Sequence, residues 1–540
     1  MRNQASWGSQ SDVFAVFVNQ EGLDRYRLNE EDYKLLTEQE KKEKKDKDAI
    51  IETRVEPQGI QDRLVRLTPY SSDVAGAVMN KDASKLYYLS KVEKGYDLWS
   101  IDLRKGSASI VNKLAAGTPP SLSLSGDASV LFMLSGSSMK KMTLPGEKIS
   151  NISYSARMPL DRAAEREYML EFVRNQEKEN FYVKDMHGVE WDSLVDHYGR
   201  FLPHINNNHD YSEMLSELLG ELNVSHTGSG YRSGSADEAT ADLGAIFDFT
   251  YTGHGLKIDE IVTGGPLDRA TSRVRAGDII TEINGHEITP DTDFSVLLNG
   301  LANHKTLLNV RSSATGAVFQ EVVKPISRAA MNDLLYRRWV AQRAAQVDSL
   351  SNGRLGYVHI ESMDNDSFRR IYADILGKYN QREGIVIDTR WNGGGRMHED
   401  IEILFSGEKY LTQVVRGEEV CDMPSRRWNK PSIMIQGEAN YSNAHGTPWV
   451  YKHRGIGKLV GMPVPGTMTS VNWVTLQDPS MYFGIPIIGY RLPDGSYLEN
   501  KQLEPDIRVA NTPERLAAGI DDQLITAVNE LLKEIDSKKQ

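Results

Sequence analysis

Four side chains spread over the 540-residue sequence have the types that acyl transfer to water demands. Ser442 sits in EANYSNAHGTPW, the adjacent pair Ser225 and His226 in LGELNVSHTGSGY, and Glu499 in YLENKQLEPDI. A hydroxyl nucleophile needs a base, the base needs partners that fix its tautomer, and the developing oxyanion needs backbone donors. Donors are on offer where Gly393, Gly394 and Gly395 follow the strand-like GIVIDTR. The N–H of Asn443 is another, one residue past the serine at the start of a helix whose dipole favours negative charge. Together these groups predict a serine peptidase.

Each group also has a plainer use. A serine between an apolar strand and a helix is commonly only an N-cap. His445, three residues after Ser442, competes with His226 for the role of base, but an i, i+3 offset on a helix points it away from a nucleophile at the cap. NGGGRM has neither the GxGxxG spacing nor the Lys-Ser/Thr of a phosphate loop, which argues against a nucleotide. The sequence contains no HExxH and no paired His and carboxylate cluster, so no metal and no cofactor is expected. Asp388 and Arg390 read as an ion pair that braces the glycine loop, not as reacting groups.

Composition narrows the classes. A formal charge of −12 gives no overall basic field for nucleic acid, and no apolar run reaches the length of a bilayer span. With 39% hydrophobic and 26% charged residues the chain reads as soluble. The single cysteine, Cys421, excludes an internal disulfide and says little about compartment. MRNQASWGSQSDVF has no apolar core for a signal peptide; a cytoplasmic protein is expected, with export open if the natural start lies upstream.

The elements that must position these groups suggest a multidomain α+β chain. Residues 1–150 hold short strand-like runs (VFAVFVN, DRLVRLTP, KLYYLSKV, YDLWSIDL, SVLFMLSG) spaced like the blades of a partial β-propeller, interrupted by the mixed-charge run EQEKKEKKDKD. Residues 151–238 turn helical in AAEREYMLEFVRN and YSEMLSELLGEL, carry Ser225 and His226, and end in the Gly- and Ser-rich stretch 227–239, read as a mobile connector. Residues 239–327 resemble a PDZ domain, with GGPLDRATSRVRAGDIITEINGHEI as the carrying motif. Leu243, Gly244, Ala245, Ile246 and Phe247 match its peptide-binding loop and strand. Residues 328–540 alternate strand and helix and predict an α/β sandwich with a mostly parallel sheet, closed by the amphipathic PERLAAGIDDQLITAVNELLKEI.

Six ordered motifs, DMHGVEWDSLVDHY, LGELNVSHTG, GYVHIESM, IDTRWNGGG, YSNAHGTPWVYKHRGIGKLVGMPVPG and YLENKQLEPDI, make the chain similar to the C-terminal half of the tricorn proteases, relatives of the C-terminal processing peptidases. The resemblance implies a Ser-His-Ser-Glu tetrad of Ser225, His226, Ser442 and Glu499, with an oxyanion hole from Gly395 and Asn443. It further implies peptide substrates of modest length, a homo-oligomer such as a hexamer, no metal or ATP at the site, and a longer natural protein. Two departures stand out. Asn443 replaces the aspartate common after the nucleophile. Leu411, Thr412 and Gln413 offer no acid where the archetype has its specificity residue. The rival class is a peptidase-like scaffold that has lost turnover and binds peptide ends through its PDZ unit.

Overall fold

The computed structural model describes residues 10–42, 54–92, 94–232, 234 and 239–538. Most of the N-terminal stretch read for a leader, much of the mixed-charge run, and residues 233 and 235–238 of the connector lie outside these. The chain forms two compact units, Met1–Pro159 and Leu160–Gln540.

In the first unit, two four-stranded antiparallel meanders run from Asp73–Met79 to Ser107–Ala116 and from Ser121–Leu124 to Lys148–Ile152. Alternating strand residues bury Tyr87, Leu89 and Leu98 of the first meander with Leu131, Met133 and Met142 of the second in a single cluster. Ahead of them lie two helices, Gln20–Arg27 and Glu30–Lys42, within a segment expected to be rich in short strands. The side chain of Asn19 caps the first by accepting the N–H of Gly22.

The second unit holds every residue of the predicted site. A parallel sheet has strands Leu355–His359, Gly384–Asp388, Ser432–Gln436, Lys458–Gly461 and Ile507–Arg508 side by side in chain order. Helices Asn365–Ala373, His398–Phe405 and Asn443–His453 cover one face; Arg328–Leu350 and Asp522–Lys538 cover the other. The expected α/β sandwich thus has three layers, and its central strands read as unbroken apolar runs because both faces are buried. The glycine loop and Ser442 both follow the carboxyl ends of such strands, where open α/β sheets carry their ligands.

Residues 228–231, expected to be part of a connector, instead form a strand paired antiparallel with Met481–Gly489, which pairs in turn with Thr469–Thr475. The reason lies in the packing. Helices Arg162–Asn180 and Asn208–Gly220 bury Val173, Leu215 and Leu218 against Met481, Phe483 and Ile485 of that sheet. Residues some 270 positions apart in sequence therefore share one core, and Ser225-His226 is delivered to the site by the turn between the last helix and this strand. The segment 245–323 forms a separate antiparallel sheet, ordered Ala245–Phe247, Leu256–Ile261, Ile279–Ile283, Thr306–Arg311, Val318–Val323, around Leu243, Ile258, Ile280 and Leu308.

Candidate active site

Ser442 occupies the sharp turn between the strand Ser432–Gln436 and the helix Asn443–His453. Its backbone lies at φ 57° and ψ −125°, costly for a residue with a Cβ, so its surroundings must hold it there. Its N–H donates to Thr467 Oγ1 at 3.2 Å, and the preceding Tyr441 N–H donates to the carbonyl of Asn392 at 3.0 Å. The Ser442 side chain makes no capping bond to its own helix, so this turn presents the hydroxyl instead of spending it.

The glycine loop is pinned beside it. Asn392 Oδ1 accepts the N–H of Gly394 and its amide donates to the carbonyl of Ile360, both at 2.8 Å. A Cβ on Gly394 would lie 2.6 Å from that of Ser442, and one on Gly395 would lie 2.1 Å from the carbonyl oxygen of Met363. Only glycine lets the loop pass this close. The N–H groups of Gly395 and Asn443 have no intramolecular acceptor among the described residues. The Asn443 side chain faces the other way: its Oδ1 accepts the N–H groups of Met397 at 2.8 Å and His398 at 3.0 Å.

Ser225, His226 and Glu499 come together as the sequence predicts. Glu499 Oε1 accepts the N–H of Ser225 at 2.6 Å and its Oε2 accepts the Ser225 hydroxyl at 3.0 Å. Ser225 Oγ lies 3.0 Å from His226 Nδ1. His226 takes the left-handed conformation, φ 67°, and its N–H donates to the Tyr441 hydroxyl at 2.7 Å. The Tyr441 ring stands 4.8 Å from the imidazole, which sets His226 against the residue before Ser442. Burial pushes the imidazole of His226 down to about 4. The same cause raises the Glu499 carboxyl above its usual range, opposed by the N–H and hydroxyl of Ser225.

His445 is not aimed at this cluster. It is fully buried, neither ring nitrogen has a partner among the described residues, and burial pushes it down to about 4 as well. Asp388 and Arg390 form the expected brace, held at 2.6 Å and joined by Asp521 at 2.9 Å beneath the glycine loop. In the PDZ-like sheet, Leu243, Gly244 and Ala245 are buried, while Ile246 and Phe247 are half-buried on an edge strand. Leu411, Thr412 and Gln413 lie on a two-stranded hairpin with Glu418–Met423.

Three neighbours escaped the sequence reading: Tyr441, Thr467 and Thr469, whose hydroxyls touch His226, Ser442 and the Ser225-His226 pair. A cavity of about 450 Å³ also opens here, lined by Gly446, Trp449, Met468, Tyr490, Leu498 and His398. Gly446 is four residues down the helix from Ser442, and Met468 lies between the two threonines.

Residues 354–509 match peptidase family S41, residues 162–220 the tricorn protease C1 domain, and residues 242–328 the tricorn protease PDZ domain. The chain is 30% identical over 400 residues to tricorn protease homolog 1 of Streptomyces coelicolor, covering 69% of this chain and 35% of that protein. It is 26% identical over 523 residues to the tricorn protease homolog of Saccharolobus solfataricus, covering 91% of this chain and 47% of that one. The crystal structure of the tricorn protease superposes with a TM-score of 0.77 at 16% identity over 91% of this chain and 49% of its own, a likeness of fold. The chain thus spans between about a third and a half of the length of these relatives. By its matched segments and their order, the chain belongs to the tricorn-type members of peptidase family S41.

Proposed function

We propose that the chain hydrolyses oligopeptides through an acyl-enzyme on Ser442, with His226 as general base and acid and Ser225 and Glu499 as its orienting partners. The observation that carries this reading is the hydrogen-bond chain Glu499–Ser225–His226 beside a strained, uncapped Ser442. Ser442 Oγ attacks the scissile carbonyl carbon and its proton passes to His226 Nε2. The carbonyl π electrons move onto oxygen, which receives the free N–H groups of Gly395 and Asn443. When the tetrahedral species collapses, the C–N bond breaks and the Nε2 proton goes to the leaving amine. Water repeats the sequence on the acyl-enzyme and regenerates the Ser442 hydroxyl.

The cavity beside Gly446 and Met468 supports a binding place for the substrate side chain next to the scissile carbonyl. Its walls mix Trp449, Leu498 and Met468 with two acids, Glu399 and Glu402, and two bases, Arg454, which pairs with Glu402 at 3.1 Å, and Arg491, so neither sign of charge dominates it. On this reading the two meanders of the first unit are the last blades of a propeller, the PDZ-like edge strand receives peptide ends, and copies assemble as a homo-oligomer. Digestion of a diverse peptide mixture by this chain and by Ser442→Ala, read by mass spectrometry, tests it. Cleavages present in the first and gone in the second are expected; cleavages that persist unchanged in the variant would assign hydrolysis to another group. Peptide binding without cleavage by either would favour the scaffold reading.

A further inference from the structure

Gly466, Thr467, Met468 and Thr469 touch every part of the cluster. The carbonyl of Gly466 accepts the N–H of Asn500, next to Glu499, at 2.7 Å. Thr467 Oγ1 accepts the N–H of Ser442, and Met468 lines the cavity beside it. Thr469 opens the strand Thr469–Thr475, its backbone in register with Gly489, and is almost wholly buried. Its Oγ1 lies 3.0 Å from His226 Nδ1, 3.1 Å from Ser225 Oγ and 3.1 Å from the carbonyl oxygen of Ser225.

Counting hydrogens resolves who donates to whom. The Glu499 carboxylate and the Ser225 carbonyl only accept. The Ser225 hydroxyl gives its one hydrogen to Glu499, and the Thr469 hydroxyl gives its own to Ser225, shared between the carbonyl and Oγ, each at 3.1 Å. Neither hydroxyl then has a hydrogen for Nδ1, and both present lone pairs to it. The tautomer that satisfies them carries its proton on Nδ1 and leaves Nε2 with the lone pair a base needs. With Ser225 alone, the hydroxyl could turn and donate to Nδ1, since Glu499 would keep the Ser225 N–H; the ring would then take the unproductive Nε2–H form. Thr469 penalises that form. An unprotonated Nδ1 would face its oxygen lone pair at 3.0 Å, or Thr469 would have to abandon a carbonyl that has no other polar partner in the cluster.

We propose that Thr469 is a positioning residue for catalysis, a second acceptor that locks His226 in the Nδ1–H tautomer. The proposal rests on His226 being the base, and the readouts are chosen to separate the two. Thr469→Val keeps the β-branched shape and removes the oxygen; Thr469→Ser keeps the oxygen. In full-length protein, Thr469→Val is expected to lower kcat about tenfold to a hundredfold, within the range for general base catalysis, with KM unchanged, and Thr469→Ser to recover to within about threefold. Nitrogen-15 NMR of the histidine rings, with His226 identified by its loss in His226→Gln, should show protonated Nδ1 in the parent and in Thr469→Ser but mixed tautomers in Thr469→Val. Unaltered ring shifts in Thr469→Val would overturn the proposal, as would a Thr469→Ser variant as impaired as the valine. If the parent protein cleaves no peptide, the peptidase reading fails on its own, and the ring shifts still decide whether Thr469 sets the tautomer.

Discussion

Two buried polar clusters lie close together in the second unit, and they differ in what they leave undone. Around Arg390 every valence is closed. Its guanidinium donates to both oxygens of Asp388, to both oxygens of Asp521 and to Gln523, while Asp388 also accepts the Tyr357 hydroxyl. Around His226 the chain Glu499–Ser225–His226 is closed on one side only. Beyond it, Nε2, the Ser442 hydroxyl and the N–H groups of Gly395 and Asn443 have no hydrogen-bond partner among the described residues. A closed network holds a shape; an open one, held in shape by its neighbours, has capacity left for a substrate. Open valence is not sufficient, as His445 shows. Its ring is equally shifted and both its nitrogens are unpartnered among the described residues, yet it is sealed in the core with nothing there to orient it. Orientation separates the two histidines, not acidity.

The contrast breaks if variants in the two clusters behave alike. Ser442→Ala should lower kcat by about 10⁴-fold or more, the scale seen when a triad nucleophile is removed, and leave thermal and denaturant midpoints unmoved. Arg390→Met should do the reverse. It leaves Asp388 buried without its counter-ion and Asp521 with only Arg343, at 3.3 Å, which costs about 3–5 kcal/mol and will lower the denaturant midpoint of the second unit. Activity per folded molecule should then fall far less than for Ser442→Ala. Equal catalytic losses with no change in stability for Arg390→Met would place the brace in the chemistry.

A pH profile sharpens the same contrast. Hydrolysis needs His226 unprotonated and Glu499 ionised. Because burial pushes His226 down to about 4, the imidazole accepts a proton only when the pH falls to that region. The Glu499 carboxyl, shifted upward by burial, is also lost as an acceptor as the pH falls. The acid limb that His226 sets in kcat/KM should therefore lie near pH 4, where an ordinary histidine would set it near 6.5. A midpoint at 6.5 would mean that the ring is far more solvated than this packing allows.

The sequence carried more of the site than of its scaffolding. That Ser225, His226 and Glu499 meet was legible because each sits in an ordered motif. The parallel sheet was legible because strands buried on both faces write unbroken apolar runs such as GIVID. Thr467 and Thr469 were not, since TMTS is unremarkable β-strand chemistry until the pairing of Thr469–Thr475 with Met481–Gly489 is known. Gly228–Tyr231 was misjudged for a related reason. Glycine and serine are turn formers by local rule, and only a partner strand some 250 residues on makes them a strand. The helices Gln20–Arg27 and Glu30–Lys42 are rich in charge, which hid their few apolar contacts among β-like neighbours.

The smallest effect concerns the departure at Asn443. Its amide Nδ2 lies 2.7 Å from His398 Nδ1, while its Oδ1 is taken by the N–H groups of Met397 and His398. In Asn443→Asp the oxygen facing those N–H groups is kept, but the atom facing Nδ1 changes from donor to acceptor. His398 must then carry a proton on Nδ1, and a carboxylate at that distance also favours the charged ring. Burial now holds the His398 imidazole below its ordinary value; the variant should move it upward. A proton taken up there would offset the new negative charge beside the N–H of residue 443, leaving the proposed oxyanion donor in a nearly neutral setting. Turnover of the variant should stay within about threefold of the parent near pH 6. Above the raised His398 titration the charge stands uncompensated, so kcat should decline with pH in the variant alone. A kcat loss independent of pH would show that the Asn443 side chain shapes the loop His398–Phe405 springs from, and that its role at the site is steric.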